Sequence, residues 1–436
     1  MMKTAEEQYI DELSKSMEQF GQLLKPYFRK MDHEGLETLF LISIAIFLGA
    51  SNIYQVIQLL GLPKTMTYNR IKGVSIYYWR QLLQHRLYEI ALPLLKERIL
   101  KSDATQSRDG LILAVDDTVI ARIATKLGYV WKWWSGQLKR VAEGQNVIAL
   151  ILVIGDIILP LDVRIVSKQG PGLPSKPEIY AEMLEVAKDR LSKAGIDVSA
   201  LKTTGDAAYL SGKIAKICQA EQNADTTQGA GTTQDTDTTQ KEESKTKSTF
   251  TGIFGGKDNY VFTIDGIRQR AAEWRKYFKE ELEEGWGTDG QPVYRTQAES
   301  DTFGTVTLIL YIPKGKRAVS YLIVVGCPLR SCEALHAFFF HHRIEEFWKT
   351  LKGTFELGSM KLQERHGAHA CVGIKIIGYL FVNMMKQNLR KLRAFTKVTI
   401  NQLVELCPKF VDINAIFKEH FHDIIPINHN LNKALG

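Results

Sequence analysis

Apolar positions recur every three to four residues through roughly the first hundred residues and then gather into short branched runs, so helices are expected first and strands after them. Asn52–Leu60 reads as a short amphipathic helix closed by Gly61 and Pro63, and Lys64–Lys72 restarts as a second helix with Thr65 as its N-cap. The second helix is expected to expose Thr67, Tyr68, Asn69, Arg70 and Lys72, residue types able to contact base edges and phosphates. Helix, glycine turn, helix is a helix-turn-helix pattern, although an ordinary helical hairpin with a basic surface has the same signature. The apolar run Leu39–Ala50 is too short to span a bilayer and reads as a buried helix.

From Leu111 the period changes. Leu111–Ile120, Val147–Gly155 and Ile157–Val166 are branched apolar runs, the last two joined by a Gly-Asp turn, and together predict a three-stranded antiparallel start. Pro177–Ala194 carries Ile179, Met183, Val186, Ala187 and Leu191 on one side and predicts a helix ended by Gly195. Leu201–Leu210 reads as a strand entering a Gly-Asp turn, with a helix from near Ser211. Asn223–Ser248 is rich in Thr, Gln, Asp and Lys and predicts a disordered linker. Beyond it, strands are expected at Tyr260–Thr263, Thr305–Ile312 and Tyr321–Val325, interrupted by a charged helix at Ile267–Glu284. Phe338–Lys352 predicts one amphipathic helix with Phe340, Ile344, Phe347 and Leu351 as its buried stripe, and Val372–Leu389 a strongly apolar one.

Several acids stand inside these apolar elements. Asp116 and Asp117 interrupt the first strand, where an unpaired carboxylate is costly, although a strand-end acid capping a turn would look the same. Adjacent strand residues point to opposite faces, so only one of the two can serve a given site. Asp206 lies where its strand ends, a usual location of functional groups in an open α/β sheet. On the Phe338–Lys352 helix, Glu345, Lys352 and His341 share one flank and Glu346 points away.

With these residues in hand, the chain resembles the DDE transposases of bacterial insertion sequences, in the subgroup with a Tyr-x2-Arg-x3-Glu-x6-Lys signature. Asp116-Asp117-Thr118 matches the family's Asp-x-Thr strand motif and favours Asp116 as the first acid. Asp206-Ala207-Ala208-Tyr209 loosely matches the second motif, Asp-Ala-Gly-Phe. Ile344-Glu345, Phe347 and Leu351-Lys352 match the core of the third. Phe338 stands where the tyrosine belongs and His341 where the arginine belongs, with Arg343 nearby. The resemblance runs from about Leu111 to the end of the chain and implies a ribonuclease H-like α/β catalytic core with a β-rich insertion domain, behind an all-helical N-terminal DNA-binding domain. The implied layout is 1–102 helical, 103–222 first part of the core, 223–248 linker, 249–332 insertion, and 333–436 second part of the core with C-terminal helices.

The implied chemistry uses two Mg2+ ions, for which Mn2+ can substitute, held by Asp116, Asp206 and Glu345. His341, Arg343, Lys349 and Lys352 would contact DNA near the third acid, and Thr67, Tyr68, Asn69, Arg70 and Lys72 at the N-terminal domain. The implied partners are the element's terminal repeats and target DNA, bound by a homodimer, with no membrane. In relatives an aromatic residue of the insertion stabilises a flipped base; Trp274 and Trp286, near Arg268, Arg270, Arg275 and Lys276, are candidates, with simple packing as the alternative. Trp131, Trp133 and Trp134, with Lys139 and Arg140, either line a DNA path or pack the sheet edge.

Charge and cysteines narrow the picture modestly. The 436 residues carry 56 Lys and Arg against 48 Asp and Glu, a net charge of +8, compatible with a polyanionic partner. Ser51–Leu100 is locally more basic. Five cysteines without a Cys-x-x-Cys pair predict reduced thiols in a cytoplasmic protein, and the N-terminus lacks a secretory pattern. The alternatives to a transposase are a ribonuclease H-like nuclease that cuts without joining and a non-catalytic DNA-binding regulator.

Overall fold

The structure is a computed structural model that describes residues 4–24, 26, 39–40, 42–43, 50, 52–93, 111–122, 127–136, 138–170, 172–198, 201–219, 250–279, 282, 292–314, 318–360 and 362–410. The expected linker at 223–248, Trp286, and most of Leu39–Ala50 lie outside them.

The chain is mixed α/β. Its N-terminal helices are α1 (Ala5–Leu24), α2 (Ile53–Leu60), α3 (Lys64–Gly73) and α4 (Ile76–Gln81), the last running into a π turn at Leu82–Arg86. Asn52 caps α2 by accepting the N–H of Gln55 at 3.0 Å, and Gly61 ends it in the left-handed region at φ 61°. The next helix starts one residue before the expected cap: Pro63 is its N-cap, with an extended backbone and no side-chain cap hydrogen bond, and Thr65 lies inside the first turn.

Among the described residues eleven strands form one sheet: β1 (Ile112–Ala121), β2 (Trp131–Ser135), β3 (Arg140–Ile154), β4 (Ile157–Ile165), β5 (Lys202–Gly205), β6 (Thr251–Gly255), β7 (Val261–Ile264), β8 (Ile267–Arg270), β9 (Val293–Ser300), β10 (Gly304–Tyr311) and β11 (Ser320–Val325). β3 is antiparallel to β1 on one side and to β4 and β2, one after the other, on its opposite side. β5 lies parallel to β1, and β6 parallel to β5. The central order is therefore β4-β3-β1-β5-β6, an antiparallel trio followed by two parallel strands. β11 then joins β6, and β10, β9, β7 and β8 continue outward. Of the charged helix expected over Ile267–Glu284, Ile267–Arg270 is instead strand β8, paired with β7 so that Arg270 stands opposite Val261, and Ala271–Tyr277 is α-helical, as α6.

Two helices cover the face of the sheet behind β3 and β6. α5 (Lys176–Lys193) opens with a capping box in which the Ser175 hydroxyl accepts the Glu178 N–H while the Glu178 carboxylate accepts the Ser175 N–H. α7 (Gly212–Gln219) follows β5. On the opposite side run α8 (Ser331–Phe339), α9 (His342–Lys352) and α10 (Glu364–Leu389), with α11 (Ile400–Phe410) after them. The single helix expected at Phe338–Lys352 is offset at Phe340 and His341, although both keep right-handed helical dihedrals. Of its expected stripe, Ile344, Phe347 and Leu351 are buried with Trp348, while Phe340 is only half-buried.

α10 is the axis of the helical layer. It is long and apolar enough to cross a membrane, yet its apolar window lies wholly inside the protein. Phe20 of α1 and Phe40 both meet Phe381, and the Tyr9 hydroxyl donates to the Leu403 carbonyl at 2.7 Å, so the N-terminal helices close onto α10 and α11. Helices and sheet share one continuous apolar core.

Candidate functional site

Residues from three elements converge on His341. Asp116 is on β1, one strand from Asp206, which follows the last residue of β5; Glu345 is in the first turn of α9. Because β1 and β5 are parallel neighbours, their acids emerge at the same end of the sheet. His341 immediately precedes α9 and is buried, with Nε2 3.5 Å from the Asp206 carboxylate and its ring stacked 6.1 Å from Phe338. Burial pulls the imidazole toward neutrality, but the hydrogen bond and charge of Asp206, with the charges of Asp116 and Glu345, outweigh it and raise its pKa. The same contact holds Asp206 below the usual carboxylate range, although its side chain is 63% exposed.

Asp116 is in the opposite condition. Burial foremost, then the adjacent Asp117 and the more distant Asp206, push it up to about 7 against the partial compensation of His341. A desolvated carboxylate with too little nearby positive charge is a group that a divalent cation would satisfy, and Asp116, Asp206 and Glu345 offer the hard oxygen donors that Mg2+ prefers. The donor chemistry thus fits such an ion. Among the described residues, however, no three His, Cys, Asp or Glu side chains are grouped closely enough to hold a metal ion in this arrangement. Glu345 is exposed and faces His342 at 3.5 Å.

Asp117 faces the other way and is fully engaged. Its Oδ2 accepts from Asn146 Nδ2 and from Lys176 Nζ, both at 2.6 Å, and its Oδ1 accepts from the Tyr209 hydroxyl at 2.6 Å. Asn146 is on β3, Lys176 is the first residue of α5, and the Tyr209 N–H donates to the Asp206 carbonyl at 2.9 Å. The second acid of the pair is therefore a clasp joining β1, β3 and α5 to the turn that carries Asp206. Sequence reasoning did not assign this role to Asp117, Asn146, Lys176 or Tyr209; Asp117 and Tyr209 lay within quoted motifs, and Asn146 and Lys176 in none. It also did not foresee that His341 is buried against Asp206 instead of lying open toward a ligand.

The remaining expected contacts are dispersed. Lys352 is half-buried, and burial lowers its pKa against the upward pull of Asp116 and Asp117, which places its ammonium near the first strand's acids. Lys349 is exposed, and Arg343 pairs with Glu346 at 2.7 Å. On α3, Asn69 and Lys72 are exposed, and Tyr68 and Arg70 half-buried; Thr67 is buried at 2% exposure, on the side that holds the helix to the core, and is not a surface contact. Trp274 is also a packing residue, donating to the Phe262 carbonyl at 3.1 Å and stacking on Phe278. Trp79 is buried, while Tyr77 stays exposed. Cys218, Cys332 and Cys371 are free thiols.

No protein-family model matches the chain, and no curated protein matches it significantly.

Proposed function

We propose that the protein is a DDE transposase that cleaves phosphodiester bonds at the ends of a transposable element and joins the freed 3' hydroxyl to target DNA. The observation that carries this reading is the contact of buried His341 with Asp206 at 3.5 Å at the end of β5, beside the parallel strand β1 that bears Asp116 and at the start of α9, whose first turn bears Glu345. The mixed sheet, with the antiparallel trio β4-β3-β1 followed by parallel β5 and β6, is compatible with the α/β core that the resemblance implies.

In this reading Asp116 and Asp206 would hold divalent cations, and Glu345 would complete the ligand set. The ions, when bound, supply Lewis-acid activation of the attacking oxygen and charge stabilisation at the leaving oxygen. Asp117 keeps the Asp116 strand and the Asp206 turn in fixed relation. His341 neutralises part of the carboxylate charge, and Lys352, near Asp116 and Asp117, is placed to meet a phosphate oxygen. Residues on α3, chiefly Asn69 and Lys72, present polar and basic groups for the element's ends, and two protomers pair those ends in the cytoplasm.

Asp116→Ala, Asp206→Ala and Glu345→Ala should each abolish Mg2+-dependent cleavage of end-repeat DNA while DNA retention stays near wild-type. Glu346→Ala, whose partner is Arg343, should cleave normally. Unchanged cleavage in any of the first three removes that residue from the site, and a wild-type protein that cuts but never joins strands in a plasmid assay is a nuclease.

A further inference from the structure

β3 is the longest strand, and its first residues outrun β1. Ala121, the last residue of β1, pairs with Gly144, the Arg122 N–H donates to the Glu143 carbonyl at 3.0 Å, and among the described residues Arg140–Ala142 pair with β2, making a two-stranded arm beyond the end of β1. Its surface carries a cluster of exposed apolar side chains. Trp134 is 64% exposed, Val141, directly opposite it, 58%, and Leu138 in the connecting turn 44%. Lys132, Lys139 and Arg140 are exposed beside them, with Glu143 as the opposing charge on the arm.

Strand register places this apolar cluster relative to the acids. Paired residues share a face and alternate residues share a face. Asp116 pairs with Ala149 and Trp134 with Val141, both odd positions of β3, so Trp134 is on the face that carries Asp116. The eight positions from Ala149 to Val141 correspond to roughly 27 Å of strand, or about eight base steps of duplex DNA. On the other face, Trp133 lies under Lys168 Nζ at 4.1 Å and near Lys176, and Lys176 is bound to Asp117. The base of the arm is thereby tied to the strand that carries the first acid. Near the same base, Arg80 of α4 donates to the Tyr129 hydroxyl at 3.0 Å, joining the arm's root to the N-terminal helices.

We propose that this arm is a duplex-DNA contact about eight base pairs from the scissile phosphate, with Trp134, Val141 and Leu138 as an apolar wedge against the groove and Lys132, Lys139 and Arg140 on the flanking phosphates. The proposal rests on the transposase reading and adds a second DNA contact to it. Duplex DNA fits better than a second copy of the chain. Two-fold pairing of copies would set a net-positive surface against itself, whereas an apolar tip flanked by cations matches a groove lined by phosphates.

The test measures affinity of the full chain for a mixed-sequence duplex of about 40 base pairs between roughly 50 and 200 mM salt. The Lys132→Ala, Lys139→Ala, Arg140→Ala triple variant should flatten the slope of log affinity against log salt by about 2.7, the release expected for three phosphate contacts. Trp134→Ala should bind about tenfold more weakly at an unchanged melting temperature, since the ring supports no core. Unaltered slope and affinity in both variants, with wild-type binding intact, overturn the arm contact and leave the transposase reading standing. A wild-type chain that retains no DNA overturns both. If Trp134→Ala instead shifts the sedimentation of the free protein without changing DNA affinity, the arm is a subunit interface and the proposal fails.

Discussion

At the residue scale, single groups are held in protonation states that the rest of the molecule imposes. His369 on α10 is buried, its Nδ1 3.0 Å from the Arg365 carbonyl and its ring edge-on to Tyr129 at 5.2 Å. Burial, reinforced by Arg80, lowers its pKa to about 4 against the opposing hydrogen bond. The unfolded chain therefore takes up this proton more readily than the folded one. Stability contributed by neutral His369 is complete above the ordinary histidine range and is lost as pH falls from about 6.5 toward 4, by up to about 3 kcal/mol. Denaturant unfolding across that window should show the loss, and His369→Gln should flatten it. An equal pH slope in the variant would mean that other groups govern acid unfolding. Asp116 differs from His369 in that its unfavourable burial has a functional reading.

Elements are joined at the site by a few polar contacts, and Asp117 is the most connected of them. Tyr209, buried beneath α5 and edge-on to Tyr180, contributes one of its three hydrogen bonds. Tyr209→Phe should cost roughly 1–3 kcal/mol in denaturant unfolding, because a hydrogen bond to a charged group is lost in the interior. By loosening the turn that bears Asp206, it should also raise the divalent-ion concentration needed for half-maximal cleavage several-fold. Unaltered stability would show that the clasp is redundant with Lys176 and Asn146. Local pattern foretold the strands at β3 and β4, the α5 helix and the Gly61 helix end, since each rests on near-neighbour periodicity or a backbone preference. It missed β6 and β9 and misassigned Ile267–Arg270, because those segments gain strand structure from pairing with distant partners.

Over the whole molecule, the described strands form one sheet and the helices pack on one core, with no break between the β1–β5 part and the strands that follow residue 249. The segment 249–332 was expected as an insertion domain; β6 and β11 lie within the common sheet. Calorimetry should then give one cooperative transition with coincident near- and far-ultraviolet circular dichroism, and a separate transition for the segment would show that it folds on its own. The sequence by itself determined the change from helices to strands near Leu111, the placement of Asp116 within an apolar strand and of Asp206 at a strand end, and the amphipathic face of α9, because these follow from residue period and chain-local chemistry. Only the tertiary structure decided that β5 lies beside β1, that His341 turns inward to Asp206, and that Asp117 is a clasp while Asp116 faces the other acids. These depend on which segments become neighbours across long stretches of chain, and residue period carries no record of such pairing.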